Sequence, residues 1–192
     1  MVNSIQPFET KRLRFRDWFP EDLPEFKKMN LDPRVCRYFR NLISEESTER
    51  FYVNTIQAQF SQYGWGLYAV ETLSDREFIG FIGFHKLVID AEFSPCIEIG
   101  WRLKPSAWGL GYATEGAMAC LQQGFETLGF DEVYCNTPVL NVPSENVMKR
   151  IGLQKTGEFF YPGFPEDSPL RKHVLYYMNR EIYETRKRND SV

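Results

Sequence analysis

One glutamate and two closely spaced glycines have the types and positions that chemistry would need. Apolar and other residues alternate through residues 97–103, the two-residue period of a strand, so Glu98 points to the face opposite its apolar neighbours. Gly109 and Gly111 follow, and apolar residues between positions 112 and 128 recur at helical spacing. The stretch therefore predicts a strand, a glycine loop and a helix, beside a carboxylate able to accept a proton.

The glycine loop has a physical use where it precedes a helix. The first N–H groups of a helix have no internal partner and carry partial positive charge. Glycine lets the backbone come close to a ligand, so such a loop can cradle a phosphate or a pyrophosphate. A plain strand-to-helix turn also uses glycine, and the two glycines alone leave both interpretations open.

Two families of phosphate-binding loops do not fit this loop. A P-loop needs Lys and then Ser or Thr after its second glycine, where this chain has Tyr112 and Ala113. A dinucleotide-binding Rossmann loop needs a third small residue at Thr114 and an acidic residue at the end of the next strand, which here ends in Asn136-Thr-Pro138. An NAD-binding role is therefore disfavoured.

A third family matches. The segment Trp108-Gly-Leu-Gly-Tyr-Ala-Thr-Glu115, preceded by Glu98-Ile-Gly-Trp101, closely resembles the acetyl-CoA loop of the GNAT acetyltransferases. It is most similar to the branch that includes the ribosomal-protein N-terminal (Rim-type) acetyltransferases. Ser106 stands where the family commonly has Arg or Gln, a residue that this branch often lacks. The resemblance extends over about residues 9–180.

The resemblance implies an α/β (α+β) GNAT fold: a central mixed, mostly antiparallel sheet with helices on both faces. Its fourth and fifth strands, at residues 97–103 and 132–137 here, are parallel and splay apart around acetyl-CoA. The pantetheine arm would bond the backbone of the first strand as an added strand does, and the pyrophosphate would lie on loop N–H groups. The residues implied as cofactor contacts are Ile99, Trp101, Leu103, Trp108, Gly109, Leu110, Gly111, Tyr112, Ala113, Thr114, Asn141 and Asn146.

For catalysis, the resemblance implies direct attack of an amine on the thioester in a ternary complex, with Glu98 as the base. The amine must be neutral, so a base helps a lysine (pKa ~10.4) more than an α-amine (pKa ~7.7–8.0). Many GNAT enzymes protonate the departing thiolate with a tyrosine, but that position is Met148, which cannot donate a proton. Ser144 matches a serine proposed for this role in the Rim-like branch.

Each of these residues also has a structural interpretation that stays open. Glu98 would equally suit a partly solvated sheet face, and Ser144 an N-cap or first-turn position. Thr114 either caps its helix or touches phosphate. Asn141 and Asn146 either contact the cofactor or satisfy loop and first-turn backbone groups.

The remaining elements are predicted from periodicity and from turn residues. We predict a strand at 10–17, helices from Pro20 and at 44–63, strands at 65–70 and 78–89, and a short helix within 141–153. Strands at 153–161 and 171–178 follow, giving the order β-α-α-β-β-β-α-β-α-β-β. Residues 1–192 are interpreted as one domain with a core at about 9–180 and a charged, frayed helical tail at 180–192.

Composition narrows the classes of function. The 192-residue chain is 43% hydrophobic with a formal net charge of −3, which predicts a folded domain and does not favour nucleic-acid binding. No apolar stretch approaches the ~20 residues of a membrane span, and no secretory signal pattern opens the chain, so we expect a cytoplasmic protein without membrane partners. The four cysteines are widely separated and the histidines number two, so no metal site is expected.

We therefore expect an acetyl-CoA-dependent N-acetyltransferase acting on a small-molecule or peptide amine. The alternative is a non-catalytic acyl-CoA-binding module with the same fold. Residues 35–42 and the loop 159–169, with Glu166 and Asp167 at its centre, are candidates for the acceptor site. His85 and His173 could lie near the cleft but are left out of the predicted site, and a homodimer is possible.

Overall fold

The computed structural model describes residues 7–40 and 43–190. Across these residues eight strands form one sheet in the order β1-β2-β3-β4-β5-β6-β8-β7. All neighbours are antiparallel except β5 and β6, which are parallel. The strands are β1 (Phe8–Glu9), β2 (Leu13–Arg16), β3 (Leu67–Thr72), β4 (Phe78–Leu87), β5 (Cys96–Leu103), β6 (Glu132–Pro138), β7 (Gln154–Phe160) and β8 (Lys172–Asn179).

The described helices connect these strands, and several contain irregular turns. They are α1 (Asp22–Leu31), α2 (Pro33–Cys36), α3 (Glu45–Phe51), α4 (Ala58–Tyr63), α5 (Tyr112–Gln122), α6 (Val142–Arg150) and α7 (Arg180–Asp190). A π-helical segment, Tyr52–Gln57, joins α3 to α4, and a second, Gln123–Thr127, extends α5. Within the part of the chain that the structure describes, no helix is both long and apolar enough to span a bilayer.

Helices cover both faces of the sheet, as β4 shows. Phe26 of α1 lies edge-on to Phe81, with ring centroids 5.8 Å apart. On α5, a Cβ added to Gly116 would lie 2.4 Å from Ile82. Because successive strand residues point to opposite faces, α1 and α5 pack on opposite sides of the sheet. The α/β (α+β) architecture expected from the sequence, a mixed and mostly antiparallel sheet with helices on both faces, is confirmed.

The parallel pair β5 and β6 separates soon after it forms. Its register contains only the pair Glu98↔Tyr134, whereas β4 pairs with β5 from Cys96 to Leu103. On its other side, β6 pairs with β8 along its whole length. Each strand is therefore held by its outer neighbour while the two diverge, and a cleft opens between them.

Several element boundaries differ from the sequence prediction. The strand β1 was missed because two residues are too few to show a period. The segment after Asp32, for which the sequence predicted no element, begins as the short helix α2, with Pro33 in its first turn and Asp32 as its N-cap. The C-terminal tail is a docked helix as far as residue 190, because Tyr183 is buried and stacks on Phe125, with centroids 4.8 Å apart.

Candidate active site

The backbone of β5 presents free groups to the cleft. Lys104 N–H donates to Ile79 C=O on β4 at 2.8 Å. Because backbone groups of successive strand residues point to alternate sides, those of Ile99, Trp101 and Leu103 point away from β4, toward the space that β6 leaves. Leu103 C=O accepts a hydrogen bond from Trp108 Nε1 at 2.9 Å. The edge from Ile99 to Leu103 can therefore pair with an extended ligand.

The glycine loop ends in an uncapped helix N-terminus. Gly109 and Gly111 have φ angles of 73° and 81°, in the left-handed region that favours glycine. Gly111 is the N-cap of α5, and no side chain satisfies the first N–H groups of that helix. These donors remain available for an anion. The interpretation of Thr114 as the helix cap is wrong, because the cap lies three residues earlier.

A polar clamp, formed by Thr10 and Arg12 in the turn between β1 and β2, holds this loop through Glu115 and Leu110. The Glu115 carboxylate accepts hydrogen bonds from Thr10 Oγ1 at 2.6 Å, Arg12 N–H at 3.0 Å and Arg12 Nε at 2.6 Å. Arg12 Nη1 donates to Leu110 C=O at 2.9 Å, and its guanidinium lies 4.6 Å from the Tyr112 ring centroid. The sequence interpretation missed this clamp, because pairing positions 12 and 115 requires the sheet order.

The cleft between β5 and β6 has a volume of about 1610 Å³. The predicted site residues that line it are Trp101, Leu103, Trp108, Gly109, Gly111, Tyr112, Ala113, Thr114, Asn141, Ser144 and Asn146. The side chain of Ile99 is fully buried, on the strand face opposite Glu98, and Leu110 is exposed with its carbonyl held by Arg12. Glu98 is not one of the lining residues; it lies where β5 and β6 meet, on the same strand face as the lining residue Arg102.

The start of α6 places Ser144 on the cleft with a free hydroxyl. Asn141 is the N-cap, since its Oδ1 accepts from Ser144 N–H at 3.4 Å and its Nδ2 donates to Thr137 Oγ1 at 2.9 Å. Ser144 is therefore not the N-cap, but it does lie in the first turn of α6, the other structural position that the sequence allowed. The Ser144 side chain has no hydrogen-bond partner within the described chain, and Met148, one turn later, is fully buried.

Glu98 occupies the fork between the two strands. Its Oε1 accepts from Asn136 backbone N–H at 3.2 Å and from the Asn136 side-chain amide, while its Oε2 lies 3.0 Å from His85 Nε2. A continuing parallel ladder would direct that Asn136 N–H to the backbone of β5. The Glu98 side chain replaces this backbone partner, so the ladder ends here and a buried carboxylate is held at the fork of the two strands.

The network continues to a buried histidine on β8. Asn136 Oδ1 lies 2.7 Å from His173 Nδ1, and because the Asn136 amide N–H₂ donates to Glu98, we assign the histidine proton to Nδ1. Burial lowers the pKa of His173 to about 4, so the ring is neutral. Burial, together with the nearby Glu98 charge, raises the pKa of Tyr161 to about 12.

The two histidines were left out of the predicted site, but the structure places His85 against Glu98 and His173 against Asn136, the residue that holds Glu98. The signal was present only in the strand order, which sets β4 next to β5 and β8 next to β6. The 159–169 loop also packs here: Phe159, Tyr161 and Phe164 have ring centroids 5.7, 4.8 and 5.7 Å from that of His173. Its central acids, Glu166 and Asp167, are exposed and lie outside the cleft lining.

The neutral buried histidine predicts a pH dependence of stability. Folding lowers its pKa from about 6.5 to about 4, so the unfolded chain binds more protons and stability is lost as the pH falls below about 6.5. We expect His173→Gln to remove a slope of up to about 1.4 kcal/mol per pH unit between roughly pH 5 and 6.5. Urea unfolding across that range measures it.

Above about pH 7.5, His173 is neutral in both the folded and the unfolded chain. The free energies of unfolding of the wild type and of His173→Gln should therefore differ by a constant amount there. An unchanged slope in His173→Gln between pH 5 and 6.5 would show that His173 does not cause it. The buried Glu71 does not contribute to the slope between pH 5 and 6.5. Burial opposes the charge of its carboxylate, but hydrogen bonds from Arg16 and Arg76 outweigh this effect and lower its pKa. Its contribution is therefore lost only at lower pH.

The predicted acceptor segment borders the other side of the cleft. Val35, Tyr38 and Phe39 line it, as does Arg102 of β5, while Asn41 and Leu42 lie outside the described residues. A Cβ added to Gly100 would meet nothing within 4 Å, although Glu98 and Arg102 flank it on the same strand face. Open space therefore lies above β5 between these two charged side chains.

Comparison with known proteins identifies the family. The model described as "Acetyltransferase (GNAT) domain" matches residues 12–154. FsC-acetyl coenzyme A-N(2)-transacetylase from Aspergillus fumigatus is 43% identical over 196 aligned residues, covering 94% of this chain and 80% of that protein. A GNAT acetyltransferase from Bacillus anthracis has a TM-score of 0.74 and 25% identity, covering 92% of this chain and 99% of that structure.

Spermidine N-acetyltransferase from Vibrio cholerae, solved with CoA and spermine, shares the fold: the TM-score is 0.70 at 17% identity, covering 91% of this chain and 99% of that one. The chain belongs to the GNAT acetyltransferase family. It is an acetyltransferase, as the family match and the named relatives show. The prediction of an enzyme is confirmed, in place of the non-catalytic alternative.

Proposed function

We propose that the protein transfers an acetyl group from acetyl-CoA to a primary amine by direct attack within a ternary complex. The observation that carries this proposal is the buried Glu98 carboxylate at the fork of β5 and β6, where the cleft begins. The name of the Aspergillus fumigatus relative includes acetyl coenzyme A, and the Vibrio cholerae structure holds CoA. Both support the choice of donor.

The residues present fit an acetyl-CoA molecule. The backbone edge from Ile99 to Leu103, apart from the Leu103 C=O that already accepts from Trp108 Nε1, suits an extended amide-containing arm. The uncapped N-terminus of α5, behind Gly109 and Gly111, suits the pyrophosphate. Remaining predicted contacts are Trp108, Leu110, Tyr112, Ala113, Thr114 and Asn146, with Asn141 shaping the cleft by capping α6. Bound acetyl-CoA supplies a thioester carbonyl at the narrow end.

Glu98 is the proposed base. Its Oε1 is held by Asn136, and its Oε2 faces His85, so the carboxylate has a fixed position at the fork of the two strands. It takes a proton from the attacking ammonium, directly or through a water molecule, and leaves the amine lone pair free for the carbonyl carbon. The new C–N bond replaces the C–S bond. The second proton that the nitrogen loses passes through the Ser144 hydroxyl to the departing thiolate, so the products are the amide and the CoA thiol. Asn136 and His173 act as positioning residues behind the carboxylate.

Ser144 is the proposed proton donor to the leaving thiolate, since its hydroxyl lines the cleft and Met148 is buried. A thiol has a pKa of ~8.5 and leaves tolerably without help. We therefore expect Ser144→Ala to lower kcat only about 10-fold, the loss of one charge-assisted hydrogen bond. Steady-state kinetics measures it, with the KM for acetyl-CoA as the control. A wild-type kcat in Ser144→Ala would remove Ser144 from the chemistry.

Thermal unfolding tests the donor assignment. A ligand at 100 times its Kd adds about 2.7 kcal/mol of stability, so acetyl-CoA and CoA should each raise the unfolding midpoint. NAD is the matched control, because it also carries a pyrophosphate but belongs to the excluded Rossmann interpretation. An unfolding midpoint that rises with NAD but with neither acetyl-CoA nor CoA would contradict the proposal.

A further inference from the structure

The side chain of Arg102 lines the cleft, and no carboxylate within residues 7–40 and 43–190 forms an ion pair with it. Its guanidinium lies 4.2 Å from the ring centroid of Phe39, 5.3 Å from that of Phe81 and 5.6 Å from that of Phe51. Its one hydrogen bond to the described chain runs from Nη1 to Asn30 Oδ1, at 2.9 Å. A guanidinium has five N–H donors, so most of them are unused.

The carboxylates that line the same cleft are already engaged elsewhere. Glu115 pairs with Arg12 at 2.6 Å, and Glu126 with Lys187 at 2.6 Å. Glu9 lies 3.7 Å from Arg14 Nε. No carboxylate lies within 4.0 Å of Arg102 in residues 7–40 and 43–190, the part of the chain whose ion pairs are described.

An unpaired cation in such surroundings is unfavourable. Burial lowers the pKa of Arg102 to about 10, although the residue is only half-buried and keeps some surface exposed. A desolvated charge normally persists only when it is paired. Its neighbour Asn30 is itself fixed, since Asn30 is buried and its Nδ2 donates to Thr48 Oγ1 at 3.1 Å. Asn30 thus fixes Nη1 of the guanidinium, and Arg102 lines a cleft in which a ligand can bind.

The strand sets the distance between this cation and the proposed base. Glu98, Gly100 and Arg102 share one face, and a strand rises ~3.3 Å per residue, so Gly100 lies roughly 6.6 Å from each neighbour. An amine positioned beside Glu98 over the open Gly100 therefore faces the Arg102 guanidinium several bonds away. Free glycine as an acceptor would be too short to contact Glu98 with its amine and Arg102 with its carboxylate. An amino acid with its amine at the far end of a longer methylene chain can contact both side chains.

We propose that the acceptor is an amine that also carries a carboxylate, bound by Arg102. This inference rests on the proposed function, because it names the substrate class of the same site. Guanidinium recognises carboxylate through paired, charge-assisted hydrogen bonds. The same unpaired cation repels a polyamine, so the acceptor differs from the spermine present in the Vibrio cholerae structure.

A matched pair of amines tests the proposal. In ε-aminocaproate and hexylamine the amine and the methylene chain are the same, and a carboxylate in the first replaces a methyl group in the second. We expect kcat/KM to be roughly 10- to 100-fold higher for ε-aminocaproate, the effect of a hydrogen bond to a charged group. Arg102→Met should bring the two values together by raising the KM for ε-aminocaproate.

Two variants serve as controls. Arg102→Lys keeps the charge and should retain part of the preference. Arg34→Met removes another cleft-lining arginine, one already paired with Asp32 at 2.6 Å, and should leave the preference unchanged. The KM for acetyl-CoA is measured in each variant, because an increase confined to that constant in Arg102→Met would assign Arg102 to the cofactor and overturn the proposal.

A binding measurement separates this proposal from the proposed function. Thermal unfolding of the CoA-bound protein should show stabilisation by ε-aminocaproate that hexylamine does not give and that Arg102→Met loses. That result without turnover of any amine supports the Arg102 site and contradicts the proposed reaction. Equal acetylation of both amines by the wild type supports the reaction and overturns the Arg102 proposal.

Discussion

Replacing Glu98 by glutamine is expected to lower kcat by roughly 10²- to 10⁴-fold, the usual contribution of a positioned general base. Glutamine keeps the size of the side chain and an oxygen that can accept from Asn136 N–H. It cannot take the proton of the attacking amine. Because the change lies at the fork and not along the cofactor edge of β5, the KM for acetyl-CoA should change little. Steady-state rates of CoA release measure both constants.

The control for this substitution is Glu166→Gln, which removes an exposed carboxylate from the 159–169 loop. It should leave both kcat and KM at wild-type values. Thermal unfolding of Glu98→Gln with acetyl-CoA shows whether the cleft is intact. If Glu98→Gln retains a wild-type kcat while still binding acetyl-CoA, Glu98 supports the fork only, and the base is another group or water.

Replacing Gly80 by alanine is expected to cause a large loss of stability. Its φ is +131°, and an added Cβ would lie 2.1 Å from Arg102 C=O and 2.9 Å from Leu103 Cα. Backbone strain and overpacking each cost ~1–3 kcal/mol, so we expect a loss of about 3 kcal/mol or more. For a domain of this size that lowers the unfolding midpoint by roughly 6–12 °C.

The matched control is Gly157→Ala on β7, where an added Cβ meets nothing within 4 Å. Its free energy of unfolding should stay within about 0.5 kcal/mol of the wild type. The displaced end of β5 in Gly80→Ala should also raise the KM for acetyl-CoA, since Leu103 borders the cleft. Equal midpoints for the two variants would show that the backbone of β4 can move away from β5 at little cost.

The loop and the strands around it were predictable because their signals are local. The alternation through residues 97–103 defines β5, and Gly109 and Gly111 have the positive φ angles that a tight loop before α5 requires. The predicted order of strands and helices, together with the loop motif, then matched the GNAT family. The same local reasoning failed at β1, where two residues carry no period, and at Thr114, where the cap lies at Gly111.

The surroundings of Glu98 could not be predicted, because they are assembled from four strands. His85 comes from β4, Asn136 from β6 and His173 from β8, and no spacing in the sequence relates them. The surroundings of Arg102 could not be predicted for the same reason. The aromatic rings around its guanidinium come from the segment after α2, from α3 and from β4. Sequence periodicity gives the face on which such residues lie, whereas their partners depend on strand order and helix docking.

The most direct test of the account is to follow the acetyl group itself. Protein is mixed with acetyl-CoA, then with a primary amine, and all species are quantified by mass spectrometry after rapid quenching. The account predicts equal amounts of free CoA and N-acetylated amine, only when both substrates are present, with no acetylated protein on the way. Acetyl-CoA binding without any acetylated amine, or an acetyl group that accumulates on the protein before the amine is added, would contradict direct transfer at this site.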